Sequence, residues 1–325
     1  LKNAGYVVDE ALKNSYEAYL KTEKERLSKD KKEWFMPDTR PAEMAVSAQV
    51  IREQAAKADV ALVTLGRTSG EFLDRMVADF NLTKEEQNML KAVSDAFHAA
   101  GKKVVVVLNI GGVIETASWK SAPDAILCAW QAGQEGGNSV ADVLSGKASP
   151  SGKLTMTFPK NVGQIPLFYN HKNTGRPLQA GKWFEKFRSN YLDVDNDALY
   201  PFGYGLSYTT FQYSDIALST PSMEQNGSIT AVVTVTNTGK RDGSEVVQLY
   251  IRDLVGSITR PVRELKGFEK IFLRAGESKT VSFKITPELL RFYDYDLNHV
   301  AEPGEFDLFI GRSSQAAKTA RITLK

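Results

Sequence analysis

Apolar runs alternate with helix-forming stretches along the first half of the chain. Asp59–Leu65 is largely apolar, and Lys103–Leu108 contains four consecutive valines. Ala125–Trp130 and Lys153–Phe158 are further runs of this kind. Short apolar runs separated by helical segments are typical of a parallel sheet whose strands are buried on both faces. The pattern therefore predicts an α/β domain over residues 1–160, with a mostly parallel sheet flanked by helices.

The helices of this domain are marked by signals at their ends. Thr83-Lys-Glu-Glu86 is a capping box, in which the threonine hydroxyl and the glutamate carboxylate each accept a free amide of the first turn. The helix that begins there is predicted to run to about Ala100, with Gly101 as its stop. The other elements predicted are helices over residues 10–29, after Gly112 and from Gly136 to Leu144, and a short strand at Tyr6–Val8.

The pattern changes twice after residue 160. Residues 161–210 have no period and are interrupted by prolines, which predicts a long connector that packs on the rest of the protein. From residue 211 apolar and polar positions alternate, as in Ser228–Thr236 and Glu245–Ile251. Several such runs without a helix predict a seven-stranded fibronectin-III or immunoglobulin-like β-sandwich over residues 211–325.

Charge and composition exclude several classes of function. The 325 residues include 41 basic and 39 acidic ones, and no basic patch of the kind that binds nucleic acid or a membrane surface stands out. No run approaches the ~18 apolar residues of a membrane-spanning helix. Cys128 is the only cysteine, and the three histidines lack metal-ligand spacing. The sequence therefore predicts no metal, no cofactor, and neither a nucleic-acid nor a membrane partner.

Two loops follow predicted strands at the edge of the sheet where ligands bind in open α/β folds. Gly66–Leu82 is long for such a loop and presents Glu71 directly after a glycine. On its residues alone, Glu71 is best explained as an exposed loop acid. Asn109–Gly112 could hold a phosphate, but it lacks the Rossmann and Walker patterns, so close packing of helix and strand is the preferred interpretation.

Longer motifs occur in a fixed order along the chain. They are Ser69-Gly-Glu-Phe-Leu-Asp-Arg75, Trp130-Gln-Ala-Gly-Gln-Glu-Gly-Gly137, Ala141-Asp-Val-Leu-Ser-Gly-Lys147, Pro150-Ser-Gly-Lys-Leu-Thr-Met-Thr-Phe-Pro159, Tyr200-Pro-Phe-Gly-Tyr-Gly-Leu-Ser-Tyr-Thr209, Glu264-Leu-Lys-Gly-Phe268 and Pro303-Gly-Glu-Phe306. Together they resemble the second domain and the fibronectin-III-like domain of glycoside hydrolase family 3. The resemblance covers about residues 1–312 in the order of the family.

This resemblance implies part of a retaining β-glycosidase that hydrolyses terminal non-reducing β-D-glucosyl or related residues. Such enzymes use two carboxyl groups ~5–5.5 Å apart, one as nucleophile and the other as acid and then base. The resemblance places Glu71 as the general acid/base. It places the nucleophile, an Asp, in a (β/α)8 barrel absent from this chain and belonging to the same protein or to a companion chain. A β-glucoside or oligosaccharide is the implied substrate, and the isolated chain is expected to be inactive.

Four residues near Glu71 have predicted roles. Ser69 and Arg67 are candidates for contacts with substrate, although Ser69 is equally explained as a turn residue. Asp74 and Arg75 are expected to hold the loop in shape, with Arg75 paired to Asp74 or another acid. A guanidinium against Glu71 would lower its pKa and impair it as an acid, so neither arginine is expected to contact it. A plain surface ion pair remains the alternative for Arg75.

Two interpretations of the function stay open. The chain is either the acid/base-bearing part of a β-glycosidase or a non-catalytic carbohydrate-binding or scaffolding fragment. Trp183, Phe184 and Tyr169 could stack on a sugar ring in an outer subsite, and packing of the connector explains them equally well. Phe202 is predicted to be largely buried where the domains join.

Overall fold

The chain forms two compact units in a computed structural model that describes residues 1–29, 33–34, 39–68, 74–179 and 181–325. The first unit comprises Leu1–Lys147 and Lys160–Val162, and the second comprises Ala148–Pro159 and Gly163–Lys325. An α/β unit is followed by a strand-rich one, which confirms the predicted fold class. The division at residues 160 and 210 stays a prediction.

The first unit is built around parallel strands. In chain order its elements are a 3₁₀ turn (Lys2–Ala4), α1 (Glu10–Ser28), α2 (Ala48–Lys57), β1 (Val60–Gly66), α3 (Val77–Phe80), α4 (Lys84–Ala99), β2 (Lys103–Asn109), β3 (Ala125–Cys128) and α5 (Gly136–Leu144). The strands lie side by side in the order β1-β2-β3, and both pairings are parallel. The predicted parallel sheet is confirmed.

The ends of the helices follow the local signals in the sequence. At the start of α4 the Thr83 hydroxyl accepts from the Glu86 amide, and the Glu86 carboxylate accepts from the Thr83 amide. Asp9 caps α1 by accepting from the amide three residues further on. Gly101 and Gly146 follow α4 and α5 with φ of 71° and 75°, a left-handed backbone that favours glycine.

One face of the sheet forms the core of this unit. Val63, Leu65, Val104, Val106 and Leu108 are buried there, and α4 packs on β1 and β2 while α2 packs on α4. The opposite face of β1 is open, because its alternate residues are exposed. A cleft of about 1140 Å³ lies along this face and is lined by residues of α1, α2 and β1. β1 is therefore buried on one face only, where its apolar run predicted burial on both.

Three predicted elements do not form. Tyr6–Val8 is not a strand, and the segment after Gly112 forms turns instead of a helix. Lys153–Phe158 is not a strand of the parallel sheet either. Its backbone amides bind elsewhere, since Leu154 donates to the Tyr204 carbonyl and Phe158 donates to the Tyr200 carbonyl. This segment belongs to the second unit.

The second unit is a β-sandwich whose two sheets share one core. Its elements are a 3₁₀ turn (Val162–Gln164), β4 (Phe211–Tyr213), β5 (Ala217–Leu218), β6 (Ser222–Met223), β7 (Ile229–Asn237), β8 (Gly243–Asp253), β9 (Glu264–Leu273), β10 (Ser278–Ile285), α6 (Pro287–Leu290), β11 (Phe292–Tyr293), β12 (His299–Val300), β13 (Gly304–Gly311) and β14 (Lys318–Leu324). One sheet has the order β10-β7-β4, with β5 also paired to β7, and the other has the order β6-β14-β13-β8-β9. The predicted sandwich is confirmed, but over residues 211–325 its two sheets contain nine strands where seven were predicted.

The connector packs within the second unit through aromatic side chains. The ring of Tyr169 stacks on Phe202 with centroids 4.2 Å apart, and its edge meets Tyr250 at 5.8 Å. The Tyr169 hydroxyl accepts from the backbone amide of Leu265. These contacts support packing as the role of Tyr169. Phe202 is half-buried, which is less than its motif predicted.

Candidate active-site loop

The loop between β1 and α4 leaves the carboxyl end of the sheet, where ligands bind in open α/β folds. Ser69, Glu71 and the other residues of the segment 69–73 lie outside the described residues, and so does the expected separation of Glu71 from the two arginines. The structure describes the loop up to residue 68 and again from residue 74. Those two parts show how the loop is attached at each end.

Arg67 is buried at the start of the loop, and its side chain is 1% exposed. Nη1 and Nη2 each donate to the Glu86 carboxylate at 2.8 Å. The other three N–H groups donate to the carbonyl oxygens of Gly66, Asp79 and Asn81 at 2.8, 2.9 and 3.0 Å. All five donors of the guanidinium are therefore used within the protein. This geometry supports a structural role for Arg67 in place of the predicted contact with substrate.

Glu86 is the buried acid that balances Arg67, with a side chain 2% exposed. Its carboxylate also accepts from Arg40 Nη1 at 2.6 Å and from the Thr83 amide at 2.8 Å. Burial alone would raise the pKa of Glu86, but the hydrogen bonds from Arg67, Thr83 and Arg40 outweigh it and lower the pKa below its ordinary value. The sequence pattern identifies Glu86 only as a helix cap, because its arginine partners lie 19 and 46 positions away.

Arg75 attaches the far end of the loop. Its Nη2 donates at 3.0 Å to the Asp79 carbonyl, which also accepts from Arg67, and its Nη1 donates at 2.9 Å to the Val113 carbonyl after β2. Burial lowers the pKa of Arg75, and the nearby Arg67 adds to that effect while Asp79 opposes it. Within the described ranges Arg75 forms no ion pair with Asp74, which is exposed. The described partners of Arg75 are backbone carbonyls, and its pairing with an acid other than Asp74 stays a prediction.

Gly112 packs against the guanidinium of Arg75. A Cβ at this position would meet Arg75 Nη1 at 2.7 Å, which is closer than real Cβ contacts. The glycine was expected to allow close packing of a helix on a strand. It instead leaves room for the guanidinium that binds the next carbonyl along the chain.

We expect Gly112→Ala to destabilise the protein by ~1–2 kcal/mol, because the new methyl group displaces Arg75 from the Val113 carbonyl. The free energy of unfolding in urea measures this loss. Gly137→Ala in α5 is the matched control, since a Cβ there meets nothing within 4 Å. That control is expected to be neutral or stabilising. Equal stability of the wild type and Gly112→Ala would contradict the contact.

The remaining candidate groups are the single thiol and possible clusters of metal ligands. Cys128 is half-buried at the end of β3, and burial raises its pKa to about 11, so it is a protonated thiol at neutral pH. In the part of the chain that the structure describes, no three His, Cys, Asp or Glu side chains form a group that could hold a metal ion. No helix in that part is both long and apolar enough to cross a membrane.

Trp183 and Phe184 are two of the several aromatic side chains of the connector that are open to solvent. Trp183 is 60% exposed and Phe184 is 40% exposed, and their ring centroids are 5.7 Å apart at an interplanar angle of 42°. Both are therefore accessible to a ligand, in contrast to Tyr169, which packs inside the second unit.

Comparison with known proteins agrees with the resemblance seen in the motifs. Residues 6–208 match the glycosyl hydrolase family 3 C-terminal domain, and residues 245–314 match the fibronectin type III-like domain. The chain is 47% identical over 275 residues to a periplasmic β-glucosidase of Salmonella typhimurium, covering 83% of this chain and 35% of the relative. It is 40% identical over 287 residues to a putative β-xylosidase of Formosa agariphila, covering 87% and 36%.

A solved structure extends the similarity over the whole chain. The β-glucosidase 3B of Thermotoga neapolitana, in complex with α-D-glucose, is similar with a TM-score of 0.82 and 35% sequence identity. The match covers 99% of this chain and 45% of that one. The 325 residues thus span less than half the length of each of these relatives.

Proposed function

Because the chain belongs to glycosyl hydrolase family 3, we propose that it is the acid/base-bearing part of a retaining β-glycosidase, with Glu71 as the acid/base. The observation that carries this proposal is the state of the two nearest arginines in the loop. Arg67 is paired with Glu86 and saturated by carbonyls, and Arg75 donates to the Val113 carbonyl and to the Asp79 carbonyl that Arg67 also binds. A general acid needs a carboxyl group with no free guanidinium against it, because such a cation would lower its pKa.

In this mechanism Glu71 acts twice. It first donates its proton to the glycosidic oxygen while an Asp of a (β/α)8 barrel, outside these residues, attacks the anomeric carbon. The aglycone leaves, and a covalent glycosyl-enzyme intermediate remains. Glu71 then accepts a proton from the water that attacks the same carbon and releases the sugar. Burial beside the anionic nucleophile would raise the pKa of Glu71 and favour the acid form before the first step.

The proposed substrate is a β-glucoside or a short oligosaccharide with a terminal non-reducing β-D-glucosyl residue. It is supported by the names of the relatives, which are a β-glucosidase and a putative β-xylosidase, and by the glucose complex of the similar structure. The (β/α)8 barrel of the same protein is the proposed partner of this chain. Within the loop, Ser69 is proposed to contact the sugar, and Arg67, Asp74 and Arg75 are assigned to its shape.

A carbohydrate-binding fragment without catalytic activity is the second candidate. The exposed pair Trp183 and Phe184 favours it, because an open indole beside a second ring can stack on the face of a pyranose. The two candidates differ in one respect that can be measured directly. Only the first requires Glu71 for turnover.

Trapping with azide tests the role of Glu71. In the complete protein that carries this chain, Glu71→Gln with an activated aryl β-glucoside and sodium azide is expected to yield a β-glucosyl azide. The good leaving group departs without a proton, and azide attacks the intermediate without a base. Glu85→Gln is the control, because Glu85 is an exposed acid of α4, and it should give glucose alone. Absence of the azide product with Glu71→Gln, alongside normal folding, would contradict the assignment.

A further inference from the structure

Residues 182–190 of the connector form a loop that carries three solvent-exposed aromatic side chains. Trp183 and Phe184 lie side by side at its start, and Phe187 is 73% exposed. None of the three is part of the apolar core of the sandwich. Single exposed apolar side chains are normal on a protein surface, whereas a group of them marks a binding surface. Three such rings within five residues therefore require an explanation.

Polar groups of the connector, and not the rings, close this loop. The Asn190 side chain accepts from the Glu185 amide at 3.1 Å and donates to the Tyr191 carbonyl at 3.2 Å. The Ser189 amide donates at 2.8 Å to the carbonyl of Arg176, on a neighbouring segment of the connector. The backbone of the loop is therefore fixed by hydrogen bonds in which the three aromatic side chains take no part.

Phe187 has a backbone conformation that a phenylalanine rarely adopts. Its φ is 67°, in the left-handed region. The Arg188 amide donates to the Glu185 carbonyl at 3.2 Å, so Phe187 is the third residue of a tight turn, where this backbone favours glycine. The ring gains no core packing in return, and its contact with Lys186 Nζ, 4.9 Å from the ring centroid, is an exposed one that contributes little in water. Strained residues of this kind are concentrated at ligand-binding positions.

Groups that bind hydroxyls accompany the rings. In the part of the chain that the structure describes, the indole N–H of Trp183 makes no hydrogen bond. Arg188 Nε is 3.8 Å from Glu185 Oε1, beyond hydrogen-bonding distance, so these two side chains do not saturate each other. A β-D-glucopyranose ring has equatorial hydroxyls and axial C–H bonds, which makes its faces apolar and its rim polar. Exposed aromatic faces beside unsaturated polar groups are complementary to such a ring.

We propose that residues 182–190 form a saccharide-binding surface for a β-linked glucooligosaccharide, with a pyranose ring stacked on Trp183 and Phe184 and Phe187 as a further apolar contact. Phe187 is then retained at a strained position for binding and not for folding. The inference rests on the proposed function for its class of ligand. It does not depend on the role of Glu71, because all residues of this surface belong to the second unit.

Calorimetric titration of the 325-residue chain with cellotetraose tests this inference. The wild type is expected to bind with a Kd of ~0.1–1 mM, the range of a small and exposed surface. Trp183→Ala should weaken binding by about 10-fold, because it removes the main stacking face, and it should leave the urea midpoint unchanged. Phe184→Ala should give a second, independent loss of affinity.

Phe187→Gly should change affinity and stability in opposite directions. Binding should weaken by about 3-fold as one apolar contact is lost, while the urea midpoint should rise because glycine relieves the left-handed backbone. Leu297→Gly is the matched control, since Leu297 is also exposed and has a φ of 62°. It should raise the urea midpoint in the same way and leave the affinity for cellotetraose unchanged.

The results separate this inference from the proposed function, because the titration measures no turnover. Absence of binding at cellotetraose concentrations up to about 10 mM overturns the inference. Equal affinities of the wild type, Trp183→Ala and Phe184→Ala overturn it as well, since the sugar then binds elsewhere. If Glu71→Gln yields no azide product while binding depends on Trp183, the catalytic role fails and the saccharide-binding surface stands.

Discussion

Glu71→Gln in the complete protein is expected to slow the hydrolysis of cellobiose by ~10²–10⁴-fold, the usual contribution of general acid catalysis. An aryl β-glucoside with a good leaving group should be slowed much less in its first step, because its aglycone departs without a proton. The measurement is kcat/KM for a series of aryl glucosides with leaving groups of increasing pKa. The slope of log kcat/KM against that pKa should be steeper for the variant than for the wild type.

The control for this series is again Glu85→Gln, whose rates should follow the wild type at every leaving group. Added azide should accelerate Glu71→Gln only on the activated substrates, since only these still form the intermediate. Equal losses on activated and natural substrates, without acceleration by azide, would rule out Glu71 as the acid/base. The chain would then be better described as a binding fragment.

Arg67→Met is expected to destabilise the first unit by about 3–5 kcal/mol, because it leaves the buried Glu86 carboxylate without its main partner. Urea unfolding measures the loss. Arg52→Met is the matched control, since Arg52 is exposed on α2, and it should change the stability by no more than about 0.5 kcal/mol. The double substitution Arg67→Met with Glu86→Met should be less unstable than Arg67→Met alone, because no buried charge is left unpaired.

The ion pair of Arg67 and Glu86 should also make the stability of the protein depend on pH. The pKa of Glu86 is lowered from its ordinary value of 4.5 in the folded protein. Its contribution to stability is therefore fully present above the unfolded value and is lost as the pH falls through the folded one. The difference in free energy of unfolding between the wild type and Arg67→Met should therefore shrink as the pH falls below 4.5. A difference that does not change with pH would show that the ion pair is not the cause of the loss.

Local signals in the sequence predicted the parts of the fold that depend on near neighbours. The Thr83 capping box and the Gly101 stop bound α4 as expected, because each involves residues within one or two helical turns. The strand predicted for Lys153–Phe158 does not form, for the opposite reason. Its apolar alternation fits a strand, but its amides bind Tyr200 and Tyr204 more than 40 positions further along the chain, and no local pattern reports that pairing.

The residues of the candidate site also differ in how far the sequence alone could predict them. Glu71 is a candidate only through the resemblance of its motif, because a loop acid on its own has no distinguishing pattern, and its role stays a prediction. The state of Arg67 could not be found in this way. An arginine after a strand suggests a group that reaches for a ligand, and only the burial of Glu86 beside it shows that its donors are used within the protein. The carbonyl partners of Arg75 could not be predicted, because backbone carbonyls carry no residue identity.

The shared acceptor of the two arginines has a consequence for how this loop can change. Asp79 offers its main-chain oxygen, and exchange of its side chain cannot remove that oxygen. We therefore expect mutational scanning to tolerate at position 79 those residues that, like Asp79, accept from the Met76 amide and so keep the short helix α3 that presents the carbonyl. Arg67 and Glu86, which recognise each other through their side chains, should tolerate few. New sequences for the segment 69–73 could thus be grafted between end points that these side chains hold.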